Sequence, residues 1–156
     1  MEPIPIKNKI EITELLKVAP FRKDVRKTQP HKHKNYIEII YLSNGHGIHT
    51  IDHTSFPIQV PTVFLIRQEQ VHHWDITEEP EGYVILLRKG FLQQSLDNEL
   101  KNALSRLSAL NCLQLTANDT IETLFELLVK ENEFIVVEGL LRALLVKLLA
   151  VAQPVS

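Results

Sequence analysis

The chain is short of the residues that mark several common protein classes. Among its 156 residues are one cysteine, one tryptophan, one methionine and five glycines. A single cysteine, Cys112, excludes an internal disulfide and fits a reducing compartment, so a cytoplasmic location is expected. Cys112 lies in Ala-Leu-Asn-Cys-Leu, an apolar setting that raises a thiol pKa, and reads as a small core residue and not as a nucleophile. Charge of one sign is also lacking: 17 Lys and Arg face 19 Asp and Glu, for a net −2. That balance argues against a surface built to hold nucleic acid through its phosphates. The N-terminus, MEPIPIKNK, has no apolar signal core. The most apolar stretch, Phe134 to Ala152, is interrupted by Glu138, Arg142 and Lys147, so no membrane partner is expected. There is no nucleophile elbow, phosphate-binding loop or zinc-finger spacing, and no internal repeat.

What is present is concentrated. All seven histidines fall between Pro30 and Trp74, in PHKHKNYIEIIYLSNGHGIHTIDH and the QVHHW that follows. Hydrophobic residues make up 44% of the chain, enough for a real core in one domain of this length. Residues 1 to 9 read as an extended arm with Pro3 and Pro5, and Ile10 to Lys17 as either a strand or a short helix. Arg22, Lys23, Arg26, Lys27, Lys32 and Lys34 form a basic cluster that reads as a solvated loop. Tyr36 to Leu42 is a β-rich apolar run, and Asn44-Gly45 after it predicts a hairpin, with Gly47 to Ile51 as the return strand. Phe56, Ile58 and Val60 alternate with polar and proline residues, the period of a half-buried strand. Further strands are expected at Val63 to Ile66, Gln70 to Ile76 and Tyr83 to Leu87, with a turn over Thr77 to Gly82. Many short strands joined by turn residues indicate a barrel or jelly roll.

After Lys89-Gly90 the period becomes helical. Ser95 to Leu107 has apolar residues at 96, 100, 103, 104 and 107 on one face. Thr116 to Asp119 has capping-box spacing and opens a helix with Ile121, Leu124, Phe125 and Leu128 together. A last helix is expected from Phe134 to Ala152, with Glu138 and Arg142 as an i,i+4 pair. In it Val137, Leu141, Leu144, Leu148 and Val151 step by four and three, as in a coiled-coil seam. Leu140, Leu145 and Leu149 add a second stripe, so the helix needs cover on more than one side. One cover is the neighbouring helix; the other is the barrel or a second copy of the chain. The expected division is a β-barrel with its arm over 1–89 and a helical segment over 90–156.

The pattern His31-x-His33, then Glu38, then Gly45 resembles the first half of the cupin signature, H-x-H-x4-E-x6-G. The second half departs from it: Arg67 and Glu69 stand where cupins carry Pro and Gly, and no Asn follows His72. More narrowly, PHKH, NGHGIHTID, QVHHW and EGYVILL resemble the N-terminal sensing domain of AraC-type transcription regulators, over roughly residues 25 to 150. That resemblance implies a mainly β chain with a cupin-like barrel followed by helices, a small-molecule effector in the barrel, and a homodimer formed through the later helices. It implies DNA binding only through a helix-turn-helix unit that would follow; after Pro154 only Val155 and Ser156 remain, so the chain is expected to be a fragment of a longer regulator.

Two chemistries are open at the histidines. Imidazoles and a carboxylate suit a divalent transition metal, with His31, His33, Glu38 and His72 as ligands. The alternative is that these are polar residues at a pocket mouth, bonded to an organic ligand or to one another. His31, His33, Glu38, Tyr41, His49, His72 and Trp74 are the candidate lining residues of that pocket. His46, His53 and His73 are expected at the surface. The competing function is a metal-dependent cupin enzyme of dioxygenase or isomerase type using His31, His33, Glu38 and His72. The departures from the second motif and the leucine-rich tail favour a non-enzymatic sensor.

Overall fold

The computed structural model describes residues 12–116 and 119–156. Its centre is a ribbon of two long antiparallel strands, β2 (Tyr36–Ile51) and β5 (His72–Arg88), paired from Tyr36↔Arg88 to Ile51↔His72. Both are rich in β-branched and aromatic residues, which suit a pleated, packed surface. β1 (Leu16–Pro20) adds to the outer part of β5, and β4 (Thr62–Ile66) to the first half of β2. β3 (Thr54–Pro57) turns back onto the second half of β2. β6 (Cys112–Gln114) pairs with β4, and β7 (Gln153–Pro154) with β6. The path runs β1-β5-β2-β4-β6-β7, with β3 to the side of β2. The result is a mainly antiparallel sheet with helices toward the C-terminus. Its strand path is open, not the closed barrel expected.

Two expectations about this ribbon are corrected. Asn44-Gly45 does not reverse the chain; β2 continues through it, and the register slips at Leu42/Asn44, Asn44/His46 and His46/Gly47. The local preference for positive φ is met by bulges and not by a hairpin, because β5 runs alongside throughout. Thr77 to Gly82 is likewise part of β5 and not a turn. Gly47, at φ 131°, shows why: a Cβ there would run into the Asp75 carbonyl across the ribbon.

Strand alternation gives the sheet two faces. Ile39, Tyr41, Val63, Leu65, Ile85 and Leu87 join one core with the helices. Ile40, Leu42, Phe64, Ile66, Trp74 and Ile76 join a second core inside the sheet, with Phe21 and Cys112. The helical layer comprises α2 (Lys89–Gln94), α3 (Asn98–Ser108), α4 (Asp119–Lys130) and α5 (Phe134–Val151). Ahead of β1 lies the short α1 (Ile12–Leu15), so the ambiguous segment 10–17 holds both a helix and the start of a strand. The capping spacing at Thr116–Asp119 runs through residues 117 and 118, which lie outside the described residues.

α5 packs on α3 and α4. Val137, Leu141, Leu144 and Leu148 are wholly buried there, and Val151 packs on the same core. The expected dimer seam is therefore corrected: its residues fill the core of their own chain. Glu138 and Arg142 also serve other partners than each other. Glu138 accepts from Ser95, and Arg142 from α5 reaches Asp97, the residue that caps α3.

Candidate functional site

The inner face of the sheet carries one polar cluster. Glu38 follows the parity of Ile40 and Leu42, so its carboxylate points inward. His72 opens β5 with the parity of Trp74 and Ile76, and is 2% exposed. His31 and His33 precede β2 and are not on a regular strand; His31 only exchanges two backbone hydrogen bonds with His72, at 3.0 and 2.8 Å. A bend at Lys34-Asn35 then turns the chain into β2 and brings Glu38 back toward both rings. One ring nitrogen from each of His31, His33 and His72 lies within 4.8 Å of the others. The Glu38 Oε2 is 3.3 Å from His72 Nε2 and 3.7 Å from His33 Nε2.

The other nitrogen of each ring is held. His31 Nδ1 donates to the Gln29 carbonyl at 2.8 Å, which turns its Nε2 toward the cluster. His33 Nδ1 bonds the Tyr36 hydroxyl at 2.7 Å, and His72 Nδ1 bonds His49 Nε2 at 2.9 Å. By contrast His33 Nε2, His72 Nε2 and Glu38 Oε2 are buried without a hydrogen-bond partner. Buried polar atoms of native proteins are almost always paired, so three converging orphans call for a partner that the chain itself does not supply. Burial holds the His33 ring below its ordinary pKa, with the neighbouring His72 and His31 adding to this against the opposing pull of Glu38. Burial, with Glu38 adding, raises that of Tyr36. The first is left neutral and the second protonated, the states a ligand imidazole and its hydroxyl support need.

This cluster forms one pole of a cavity of about 320 Å³ whose walls include Phe21, Val25, Ile40, Trp74, Val84 and Leu86. His31, His33, Glu38, His72 and Trp74 line it. His49 stands one layer behind, fully buried and stacked on Trp74 at 3.5 Å, where burial holds it neutral. Tyr41 is corrected: odd-numbered on β2, it faces the helices and stacks on Phe125 at 5.3 Å. His46 and His53 are exposed, and His73 is half-buried. Sequence reasoning missed Tyr36, Val84 and Leu86. Their parity with Glu38 and with each other along a strand was the available signal.

The chain is thus a mainly antiparallel sheet with an inward histidine cluster and a helical layer on its outer face. A family model described as the AraC-like ligand binding domain matches residues 19–149, and the chain belongs to that family. No curated protein matches the chain. Among solved structures it is similar to ToxT from Vibrio cholerae, at 10% identity over 85% of this chain and 55% of that one, with a TM-score of 0.47. Similar too is an unsaturated-fatty-acid-bound ToxT from Vibrio cholerae strain SCE256, at 14% identity over 83% and 50%, TM-score 0.47. A predicted oxalate decarboxylase from Thermotoga maritima is 20% identical over 40% of this chain and 56% of that one, TM-score 0.37. This chain thus spans about half the length of these three proteins. Identities this low, with TM-scores below 0.5, say nothing about what it binds.

Proposed function

We propose that this chain is the effector-sensing part of an AraC-type transcription regulator, and that the effector enters the cavity bounded by His31, His33, Glu38, His72 and Trp74. The observation that carries this reading is the joining of orphaned donor atoms and an apolar wall in one cavity. Phe21, beside β1, and Cys112, on β6, meet in the inner core, which supports a sheet rolled in the cupin manner although its strand path is open. Residues 1–89 would sense, and residues 90–156 would relay the result to a DNA-binding helix-turn-helix unit of the whole protein in the cytoplasm.

The donor set also fits a divalent transition metal. His33 Nε2, His72 Nε2 and Glu38 Oε2, with His31 beside them, would hold it, while Tyr36, His49 and the Gln29 carbonyl orient the rings. Such an ion would supply positive charge and open coordination positions to an oxygen-bearing effector. The role of these residues is binding and orientation. A sensor is favoured over a dioxygenase or isomerase by the family match and by the helical layer sealed onto the sheet.

A homodimer would use the outer side of α5. Val136, Gly139, Ala143, Val146 and Ala150 repeat the three-four spacing, each two residues on from a buried partner or next to it, roughly 200° round the helix. Val136 and Val146 are each 44% exposed. Sedimentation of an Ala143→Glu/Val146→Asp variant tests this: the variant is expected to be a monomer and the parent a dimer, and a monomeric parent rejects it. For the effector, a thermal-shift panel of sugars, aromatic acids and metal ions is the test. At least one compound is expected to raise the melting point of the parent and not that of His33→Ala/His72→Ala. A panel in which every shift survives that double change rejects the site.

A further inference from the structure

We propose that the segment Arg67–Val71, centred on the side chain of Gln70, is the link by which the state of the histidine site reaches the helices. This deepens the sensing role above and rests on it for the ligand. The segment is bonded at one end to the site. The Glu69 backbone N–H donates to the His33 carbonyl at 2.9 Å, and the Glu69 carboxylate pairs with Lys32 at 3.3 Å. His72 follows two residues after Gln70 and exchanges backbone hydrogen bonds with His31.

At the other end the same segment is bonded to the helical layer. Arg67 donates from its guanidinium to the carbonyl of Ser108, the last residue of α3, at 2.7 Å. The Gln70 oxygen accepts from Asn111 Nδ2 at 2.8 Å and from the Arg67 backbone N–H at 2.9 Å. The Gln70 nitrogen donates to Asp52 Oδ2 at 2.9 Å and to Asn111 Oδ1 at 3.2 Å. Gln70 is 6% exposed, so its amide is buried and every one of these bonds is to the chain itself. A shift of the backbone at His33 or His72 therefore either strands the buried Gln70 amide or pulls on Asn111, which follows α3 by three residues and is itself bonded to Leu65 of β4. Stranding is the costlier course.

The segment is also held away from its relaxed shape. Glu69 has φ 70°, the left-handed region that disfavours a side chain. Such a conformation persists only where surrounding bonds enforce it, and it gives the segment an alternative to move toward. α3 packs on α5, so a displaced Ser108 end is felt by the longest helix.

Hydrogen exchange on the full chain tests the link, read at the amides of residues 104–113. Two perturbations of the site are used: saturating Ni²⁺, and His33→Ala with no metal added. In the parent, Ni²⁺ is expected to slow these amides by about fivefold or more. In Gln70→Ala and Asn111→Ala the same Ni²⁺ binding isotherm is expected with no slowing. The swap Gln70→Asn/Asn111→Gln, which keeps the paired amides, is expected to restore it. Slowing that survives in Asn111→Ala overturns the proposal, and so does a parent that binds Ni²⁺ with no change over 104–113. If Ni²⁺ does not bind at all, the metal reading falls alone and His33→Ala decides. A change over 104–113 that Asn111→Ala abolishes upholds the link; no change refutes it.

Discussion

The two faces of the sheet are built from the same strands and spent differently. On the helix face, Ile39, Tyr41, Leu65 and Leu87 meet Phe125, Leu141 and Leu144 in an apolar core whose work is cohesion. On the inner face, residues one step along the same strands form a smaller core and then stop at a pole of imidazoles and a carboxylate with unpaired atoms. Burying such groups costs stability unless something pairs them. The comparison teaches that one face holds the fold together, while the other gives up stability to keep polar atoms that the chain leaves unpaired.

The sharpest way to break this contrast is to swap the costs. Leu144→Ala, on the helix face, is expected to destabilise the chain by about 2–5 kcal/mol in urea unfolding. A loss below 1 kcal/mol would mean that α5 is not part of the core. On the inner face, Glu38→Gln removes a buried carboxylate with an orphaned oxygen. It is expected to leave metal-free stability unchanged or to raise it by about 1 kcal/mol, while abolishing any metal-induced rise in melting point. A large destabilisation of the metal-free protein would make Glu38 structural.

The next effect is confined to acid. The Leu100 backbone N–H, and then Arg142, hold the Asp97 carboxyl below its usual range in the folded chain. A depressed carboxyl stabilises the fold above its unfolded pKa of about 3.8, and the contribution disappears as pH falls through the lower folded value. Asp97→Asn is thus expected to flatten the fall in melting point below pH 4 and not to change the slope at neutral pH. The smallest effect belongs to Glu69→Gly. Relief at φ 70° works against loss of the exposed Lys32 pair, for a net change within about 1 kcal/mol by the same urea assay. A loss well beyond that would show that the Glu69 side chain carries more than an exposed ion pair.

Local patterns in the sequence carried much of this. The spacing of His31, His33, Glu38 and His72 picked out residues that the fold brings together, and the apolar period marked α3, α4 and α5. What could not be read was decided by distant partners. Asn44-Gly45 has the chemistry of a hairpin, yet thirty-odd residues later β5 supplies a strand that keeps β2 straight on, and the glycine freedom goes into bulges. The seam on α5 has coiled-coil spacing, but spacing alone does not say whether a sister helix or α3 and α4 will cover it. Tyr41, of opposite parity to Glu38 on β2, faces the helices and not the inner pole.

The central claim is that the inner pole is a built binding site and not a set of tolerated polar residues. Equilibrium dialysis of the metal-free chain against Ni²⁺, with bound metal counted per chain, tests it most directly. Close to one ion per chain is expected in the parent, and none in His33→Ala/His72→Ala. Equal uptake by both proteins would contradict it; no uptake by the parent would remove the metal alone and leave the thermal-shift panel to decide.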